Sequence, residues 1–400
     1  MLKNDCINTG LCVECGACAA VCPTGAITMK EYAWGRNPEL TGRCVEEECD
    51  LCRQVCAARE VPVTASEEKF MGRRRKRDTI EKDAGVIRKV VTGCATDQEV
   101  RRHGTSGGVT SALLIYALEE GIIDGCVLAG FDPKTPWQAK AIVATSRNEI
   151  LECAGSKYQP HPQLLGIKEA YDRGLKKIAV TATPCHAAVV RNMMLNEKLA
   201  KYGGIIKLLI SNVCAAHWSM AGTKWLIKKW LDIDVKDIQK LSYRAGKFPG
   251  DLVAVTKDGK EHRNPFVRGG GVFELGRYTP EECRICLEKI GFTADLVMGD
   301  TWCHPGVNPG VPYMNHTEDE LNKDERLKEA MVGLNSIVVR SKFGQEILDD
   351  CAQSGHIKLF ANRPGETEAY LTGVTSEKPS YNGCWVEARR CRGMPIRRYI

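Results

Sequence analysis

Eight cysteines between Cys12 and Cys56 fall in two tight runs, and their spacing constrains the chain more than any other feature. The first run is Cys12-x2-Cys15-x2-Cys18-x3-Cys22-Pro23; the second is Cys44-x4-Cys49-x2-Cys52-x3-Cys56. Two residues between cysteines let a short loop aim consecutive thiolates at one cube of iron and sulfide. A fourth cysteine three residues further on, set off by Pro23 in the first run, points away toward a second cube. Two four-cysteine zinc sites use the same thiolates, but zinc ribbons pair separate C-x2-C knuckles rather than a C-x2-C-x2-C run. Disulfides fit poorly. The segment from Met1 to Cys12 is charged and lacks the apolar stretch of a signal peptide. Twenty cysteines in such a chain point to a reducing compartment and metal ligation.

The double run resembles that of two-cluster bacterial-type ferredoxins, in which the runs cross over. The resemblance implies one 4Fe–4S cluster on Cys12, Cys15, Cys18 and Cys56, and another on Cys44, Cys49, Cys52 and Cys22. The x4 gap after Cys44 departs from that pattern, and Cys44 is the ligand that the spacing supports least.

At 400 residues and 43% hydrophobic content, the chain can bury cores for two or three domains. Its longest apolar stretches, such as 178–183 and 205–210, are strand-sized, so no transmembrane segment is expected. The expected protein is cytoplasmic, a location that also allows peripheral seating on a membrane complex. A net charge of +6 is mild and argues for acidic ligands rather than nucleic acid. The expected domains are a two-cluster module over 1–62, a basic linker over 63–85 and an α/β domain over 86–400. The linker carries Arg73-Arg74-Arg75-Lys76-Arg77, read as a solvated stretch or as a docking patch for an acidic partner or anionic cofactor tail. No aromatic residues are interleaved with these charges, which argues against nucleic acid.

Val109, Ala112, Leu113, Tyr116 and Ala117 recur at helical spacing and predict a helix over 106–121. Further helices are expected from Pro184 to 194, over 218–231 and over 344–351. Strands are expected at 123–131, 139–145, 177–183, 204–213, 294–298 and 336–339, with strand material and a turn at Asp258-Gly259 over 241–260. The last 40 residues read as irregular.

Within the α/β part, Gly104-Thr105-Ser106-Gly107-Gly108 precedes the first helix. Its glycines and the following helix N-terminus suit a phosphate or pyrophosphate, although a ligand-free tight turn has the same composition. The segment also matches the G-x-S-x-G elbow of serine hydrolases, but that motif follows a buried strand, whereas 97–102 is polar. Cys185 and Cys214 each follow an expected strand, and Cys283-x2-Cys286 stands apart. Adjacent strand ends converge at one edge of a parallel sheet, so these four thiols suit a third metal site. Two buried small side chains and a redox dithiol remain the alternative.

These motifs resemble, in order, the beta subunit of the coenzyme F420-reducing hydrogenase and dehydrogenase family. They are Gly104–Gly108, Gly155-Ser156-Lys157-Tyr158, Thr183-Pro184-Cys185-His186, Phe248-Pro249-Gly250, Cys283-x2-Cys286, Ala294-Asp295 and Gly299-Asp300. The resemblance spans roughly Val91 to Trp302. It implies an α+β ferredoxin-like N-terminal module followed by a larger α/β flavin-binding domain. It makes Cys185, Cys214, Cys283 and Cys286 ligands of a third 4Fe–4S cluster. It sets FAD against Gly104, Thr105, Ser106, Gly107 and Gly108, with Ser156, Lys157 and Tyr158 as further flavin-site residues. Lys157 would neutralise a phosphate or polarise the flavin, and Tyr158 would stack on it or hydrogen-bond to it. His186 replaces a frequent glutamine and would tune the adjacent cluster. No acid–base dyad is assigned, because hydride transfer takes place at FAD.

The implied activity is exchange of a hydride with coenzyme F420 and passage of single electrons to or from another subunit of a redox complex, or ferredoxin. Arg101, Arg102 and the 73–77 run are candidates for steering the acidic coenzyme. Two other readings compete: a ferredoxin-fed reductase of another organic substrate, similar to the chlorophyll-pathway reductases, and an electron relay without flavin.

Overall fold

The computed structural model describes residues 3–45, 47–266, 275–303 and 317–400. Short runs such as Ile178-Ala179-Val180, Leu208-Leu209-Ile210 and Leu296-Val297 are apolar at every position, the pattern of strands covered on both faces. Fifteen strands are labelled in chain order. They are β1 Ile27–Glu31, β2 Arg36–Leu40, β3 Glu60–Val61, β4 Lys89–Ala95, β5 Gly125–Asp132, β6 Thr135–Ala144, β7 Ile178–Ala182 and β8 Ile206–Asn212. There follow β9 Ile238–Ala245, β10 Asp251–Thr256, β11 Glu261–Pro265, β12 Leu296–Asp300, β13 Asn335–Val339, β14 Ile357–Ala361 and β15 Arg398–Tyr399.

Eight of these form one mixed sheet in the order β14-β4-β13-β12-β8-β7-β5-β6. Strands β12, β8, β7 and β5 are parallel neighbours, and β4 runs the same way because it is antiparallel to β13, which is antiparallel to β12. Alternate residues face opposite layers. Val127, Val180, Leu209, Val297 and Val338 pack with Ile167, Ala187, Val190 and Met193 on one face. Leu128, Ala179, Leu208, Ile210, Leu296 and Ile337 pack with Leu113, Leu114, Ile347 and Leu348 on the other. The result is a three-layer α/β domain whose parallel strands deliver their carboxyl ends, and hence residues 96, 183, 213 and 300, to one edge. A smaller sheet β11-β10-β9 packs with the helix Met220–Leu231.

The N-terminal part is an antiparallel β1–β2 hairpin with two short helices, Ala17–Ala20 and Leu51–Gln54, one inside each cysteine run. Its Ala17, Val21 and Val55 merge into the core of the large domain beside Leu164 and Ile167. Gly16 sits at this junction with φ +81°, and a side chain there would meet Pro162 at 2.7 Å.

Three expectations are corrected. Segment 63–85 is packed rather than solvated: Val63, Met71 and Ala84 are buried. Three of its arginines are paired locally, Arg73 with Glu81 (2.7 Å), Arg74 with Glu68 (2.6 Å) and Arg75 with Glu67 (2.6 Å). Although burial opposes it, the Arg73 guanidinium and two backbone amides hold the Glu81 carboxyl down at about 2. Arg73 and Arg75 are therefore not available to steer a distant coenzyme, whereas Arg74, Lys76 and Arg77 remain exposed. The last 40 residues are not irregular either. They hold a helix, Glu366–Cys391, with Pro379 inside it. Proline and two glycines mask the helix in the sequence; burial of Tyr370, Leu371, Val374 and Val386 holds it. The chain end returns as β15, which pairs with β3 of the N-terminal part. Finally, the first helix is shorter than expected, Val109–Glu119.

Asp295 illustrates how the sheet is tied to its covering helix. One carboxylate oxygen meets Arg191 at 2.9 Å and the other accepts from the Leu209 amide, with the Arg191 side chain only 1% exposed. Asp295→Ala strands a buried guanidinium and should lower the stability of the large domain by about 3–5 kcal/mol, read as an earlier midpoint in denaturant unfolding.

Candidate functional site

The cysteines gather into three groups of four. Cys12, Cys15, Cys18 and Cys56 line one apolar cavity, walled by Val13, Ala17, Met29, Pro38 and Val55. Cys56 comes from the second run, so the runs do cross over here. Burial, together with the neighbouring thiolates, pushes the Cys12, Cys15 and Cys18 thiols up. A fifth sulfur, Cys6, lines the same cavity at 3.7 Å from Cys56 Sγ, and its hydrogen bond holds the Cys56 thiol below the usual range. Cys6 lies outside both runs, so spacing alone gives it no role.

Cys22, Cys44, Cys49 and Cys52 form the second group. Burial and then the charges of Cys44, Cys22 and Cys49 raise the Cys52 thiol. Burial raises the Cys22 thiol too, but the Thr24 hydroxyl and nearby amides outweigh it. Cys44 is exposed and the other three are half-buried, so this group reaches the surface.

The third group stands at the carboxyl edge of the large sheet. Cys185 opens the helix Pro184–Leu195 directly after β7, and Cys214 follows β8, its parallel neighbour. Cys283 and Cys286 come from the turn around the short helix Glu281–Arg284. All four thiolates act on one buried ammonium, that of Lys378, Cys286 most strongly. Burial pushes the Cys185 thiol up to about 12, whereas Lys378 and Arg397 outweigh burial at Cys286 and lower it. Lys378 and Arg397 belong to the C-terminal segment whose sequence pattern shows no regular element.

The first group adjoins both of the others. Cys15 of the first feels the charge of Cys185 in the third, and Cys18 of the first feels Cys52 in the second. His186 is turned toward the first group, its Nε2 3.0 Å from the carbonyl oxygen of Val13 between Cys12 and Cys15.

The donor sets distinguish a cube from a single ion. Four sulfurs around one zinc lie ~3.8 Å apart, given Zn–S bonds near 2.3 Å. Among the described residues, the only three ligand atoms mutually within 4.8 Å are from His217, Glu282 and Cys283. The thiol groups are too open for one ion, and the first encloses apolar space. Sets of four cysteine sulfurs around such space fit 4Fe–4S clusters.

The Gly104–Gly108 turn stands at the carboxyl end of β4, where the Ala95 amide donates to the Gly107 carbonyl at 2.7 Å. A Cβ on Gly107 would stand 2.5 Å from the Gly93 carbonyl and 2.8 Å from Asn335, so close packing alone demands this glycine. Gly108 has φ +74° and opens the helix without a side-chain cap, and Asn335 accepts from the Val109 amide at 3.1 Å. The turn meets segment 155–158: the Ser156 amide donates to Thr105 Oγ1 at 2.9 Å. Ser106 donates to Asp300, which also binds Arg244 (2.5 Å) and Trp302 Nε1 (2.7 Å). Burial opposes ionisation of Asp300, but Arg244 and these donors win and its carboxyl is held low. One guanidinium nitrogen of Arg244 is buried with no partner, the kind of atom that a phosphate or carbonyl of a ligand would satisfy. In the sequence Arg244 is one polar residue of an expected strand, with no motif to mark it.

The fold constrains three of the side chains expected at the site. Lys157 turns its ammonium onto the carbonyls of Cys153, Ala154 and Gly155 at 2.5–3.1 Å, and burial lowers it to about 8. The Tyr158 ring is enclosed by Trp218, Tyr243 and Phe266, with centroids 4.8–5.4 Å away. Arg101 is buried against Glu329 at 2.7 Å rather than open for steering. No strand leads into Ser106 directly; the helix Gln98–His103 intervenes, against the hydrolase elbow. Alanine at Cys15, Cys52 or Cys214 should each lower the iron content of anaerobically purified protein by about four atoms per chain, measured by colorimetric iron and sulfide assay.

Comparison with known proteins agrees with this arrangement. Residues 90–168 match the N-terminal model of the coenzyme F420 hydrogenase/dehydrogenase beta subunit, and residues 175–364 match its C-terminal model. Residues 6–28 match a 4Fe–4S binding domain. The chain is 27% identical to a subunit of the F(420)H(2) dehydrogenase of Methanosarcina mazei, over 84% of this chain and 91% of that one. It is 28% identical to the coenzyme F420 hydrogenase subunit beta of Methanothermobacter thermautotrophicus, over 78% and 98% respectively. Its fold is similar to a chain of the F420-reducing [NiFe] hydrogenase complex from Methanosarcina barkeri, with a TM-score of 0.59, 24% identity, and coverage of 79% of this chain and 97% of that one. These relatives are oxidoreductase subunits, and no helix among the described residues is long and apolar enough to cross a membrane. The chain belongs to the family of coenzyme F420 hydrogenase/dehydrogenase beta subunits and carries an N-terminal 4Fe–4S binding domain.

Proposed function

We propose that the protein exchanges a hydride with coenzyme F420 at a bound FAD and passes the electrons singly, through three 4Fe–4S clusters, to or from another subunit of a redox complex. The observation that carries this reading is that the first thiol group lies within electrostatic reach of both others, of Cys185 at the sheet edge and of Cys52 in the group that carries the exposed Cys44. A flavin takes up the electron pair of a hydride and gives it out one electron at a time, the form in which a 4Fe–4S cluster carries charge.

The work of the chain is placement and insulation. Cys185, Cys214, Cys283 and Cys286 would hold the inner cluster, Cys12, Cys15, Cys18 and Cys56 the middle one, and Cys22, Cys44, Cys49 and Cys52 the outer one. The Gly104–Gly108 turn, with Ser156 behind it, would receive the flavin, and the unpartnered nitrogen of Arg244 supplies a positive contact there. Lys157 shapes this wall through its own turn rather than by touching a phosphate. On this reading residues 1–62 form the outer module, and 86–400 the coenzyme-reacting domain. The names of the relatives supply the coenzyme and the setting: an F420H2 dehydrogenase and an F420 hydrogenase, each represented by one of its subunits.

Anaerobically purified chain should contain about twelve irons and one FAD, and should oxidise reduced F420 with viologen as acceptor. Iron without flavin absorbance would establish a simple relay instead. Full cofactor content with no F420 oxidation, but turnover when fed by reduced ferredoxin, would establish a reductase of another substrate. A colourless protein holding zinc would end the redox reading.

A further inference from the structure

The matched family segment stops at residue 364. The residues after it do more than close the fold. From the helix Glu366–Cys391, Lys378 reaches inward until its Nζ is 3.3 Å from Cys286 Sγ. One turn on, Asn382 donates to the carbonyls of Cys283 (2.9 Å) and Cys286 (2.7 Å), fixing the loop that carries both sulfurs. Arg397, just before β15, lies 4.0 Å from Cys286 Sγ and donates to the carbonyls of Ala58 (3.2 Å) and Leu11 (3.4 Å). Those two residues flank Cys56 and Cys12 of the first group, so this guanidinium stands between two thiol groups. Lys378 and Arg397 are 5% and 8% exposed.

A buried ammonium is costly unless a negative partner is close. The neighbouring Glu377 is taken by Lys289. The buried carboxyl of Glu288 accepts from the Phe292 amide at 2.6 Å. What remains opposite Lys378 is the sulfur of Cys286 and, behind it, the rest of the third group. Reduction adds one negative charge to a cluster. A fixed cation at this distance, in a medium far less polarisable than water, therefore favours the reduced form.

We propose that Lys378, assisted by Arg397, sets the reduction potential of the cluster held by Cys185, Cys214, Cys283 and Cys286, raising it so that this position draws electrons from the flavin side. The proposal rests on the three-cluster reading above. Lys378 is a positioning and charge-setting residue and does not act as a ligand.

The test uses the full chain, purified without oxygen, as wild type, Lys378→Met and Lys378→Arg. Iron is counted, and each cluster signal is titrated with redox mediators and followed by electron paramagnetic resonance. Methionine keeps the length and apolar stem of lysine but not the charge. The reduced-to-oxidised ratio of one signal should fall at least tenfold at fixed potential in Lys378→Met, a shift of about 59 mV, and should return to within threefold of wild type in Lys378→Arg. If Lys378→Met instead lacks about four irons, restoration by Lys378→Arg supports the charge role. Equal iron loss in both variants overturns it in favour of packing. An unmoved potential with full iron in Lys378→Met also overturns it, while leaving the three-cluster reading intact. Wild-type protein with only about eight irons ends both at once.

Discussion

The structure is organised around an electrostatic problem: sulfur donors crowded together in positions that are mostly half-buried or buried. Burial and mutual repulsion both disfavour the thiolate, as the raised Cys12, Cys15, Cys18 and Cys185 thiols record. Such sites persist only if positive charge enters them. Iron–sulfur cubes would bring most of it, and the chain adds its own. Lys378 and Arg397 stand at the third group, a thiol hydrogen bond from Cys6 reaches Cys56 at the first, and Thr24 with backbone amides serves Cys22 at the second. The gradient from a sealed inner group to an exposed outer one suits traffic between an enclosed coenzyme site and a partner surface.

The sheet solves a second problem, that of bringing distant residues to one place. Five strands pointing the same way deliver their following residues to one edge, so Cys185, Cys214, Asp300 and the approach to Gly104 come to the same edge of the sheet despite long separations in the chain. This is the usual position for a site on an α/β sheet, because strand carboxyl ends leave a crevice where connections diverge. The N-terminal part is fastened to the same region by a shared core and by the parallel pairing of β15 with β3.

Much of this is legible in the sequence where chemistry is local. The spacing of the two cysteine runs contains its own geometry, since each C-x2-C turn acts over a few residues, and the crossing of Cys56 into the first group follows from it. The apolar runs of β7 and β8, each ending at a cysteine, likewise announce a metal-suited edge. Less legible is everything that depends on burial by remote segments. Lys157 and Tyr158 look open to a ligand in the sequence, yet one is tied to its own turn and the other sits among aromatics. The arginines of 73–77 look free because their partners, Glu67, Glu68 and Glu81, gain meaning only once that segment folds back on itself.

By itself the amino-acid order determined the ligand types, their local loops, the alternation of strands and helices, and family membership. Tertiary structure alone decided that Cys6 joins the first group, that Arg244 and Asp300 face the glycine turn, and that the C-terminal segment brings Lys378 and Arg397 onto the third group. The reason is range. Loop geometry and hydrophobic periodicity are encoded within a few residues, whereas the partner of a buried charge is chosen by packing between segments far apart in the chain, as Lys378 and Cys185 are.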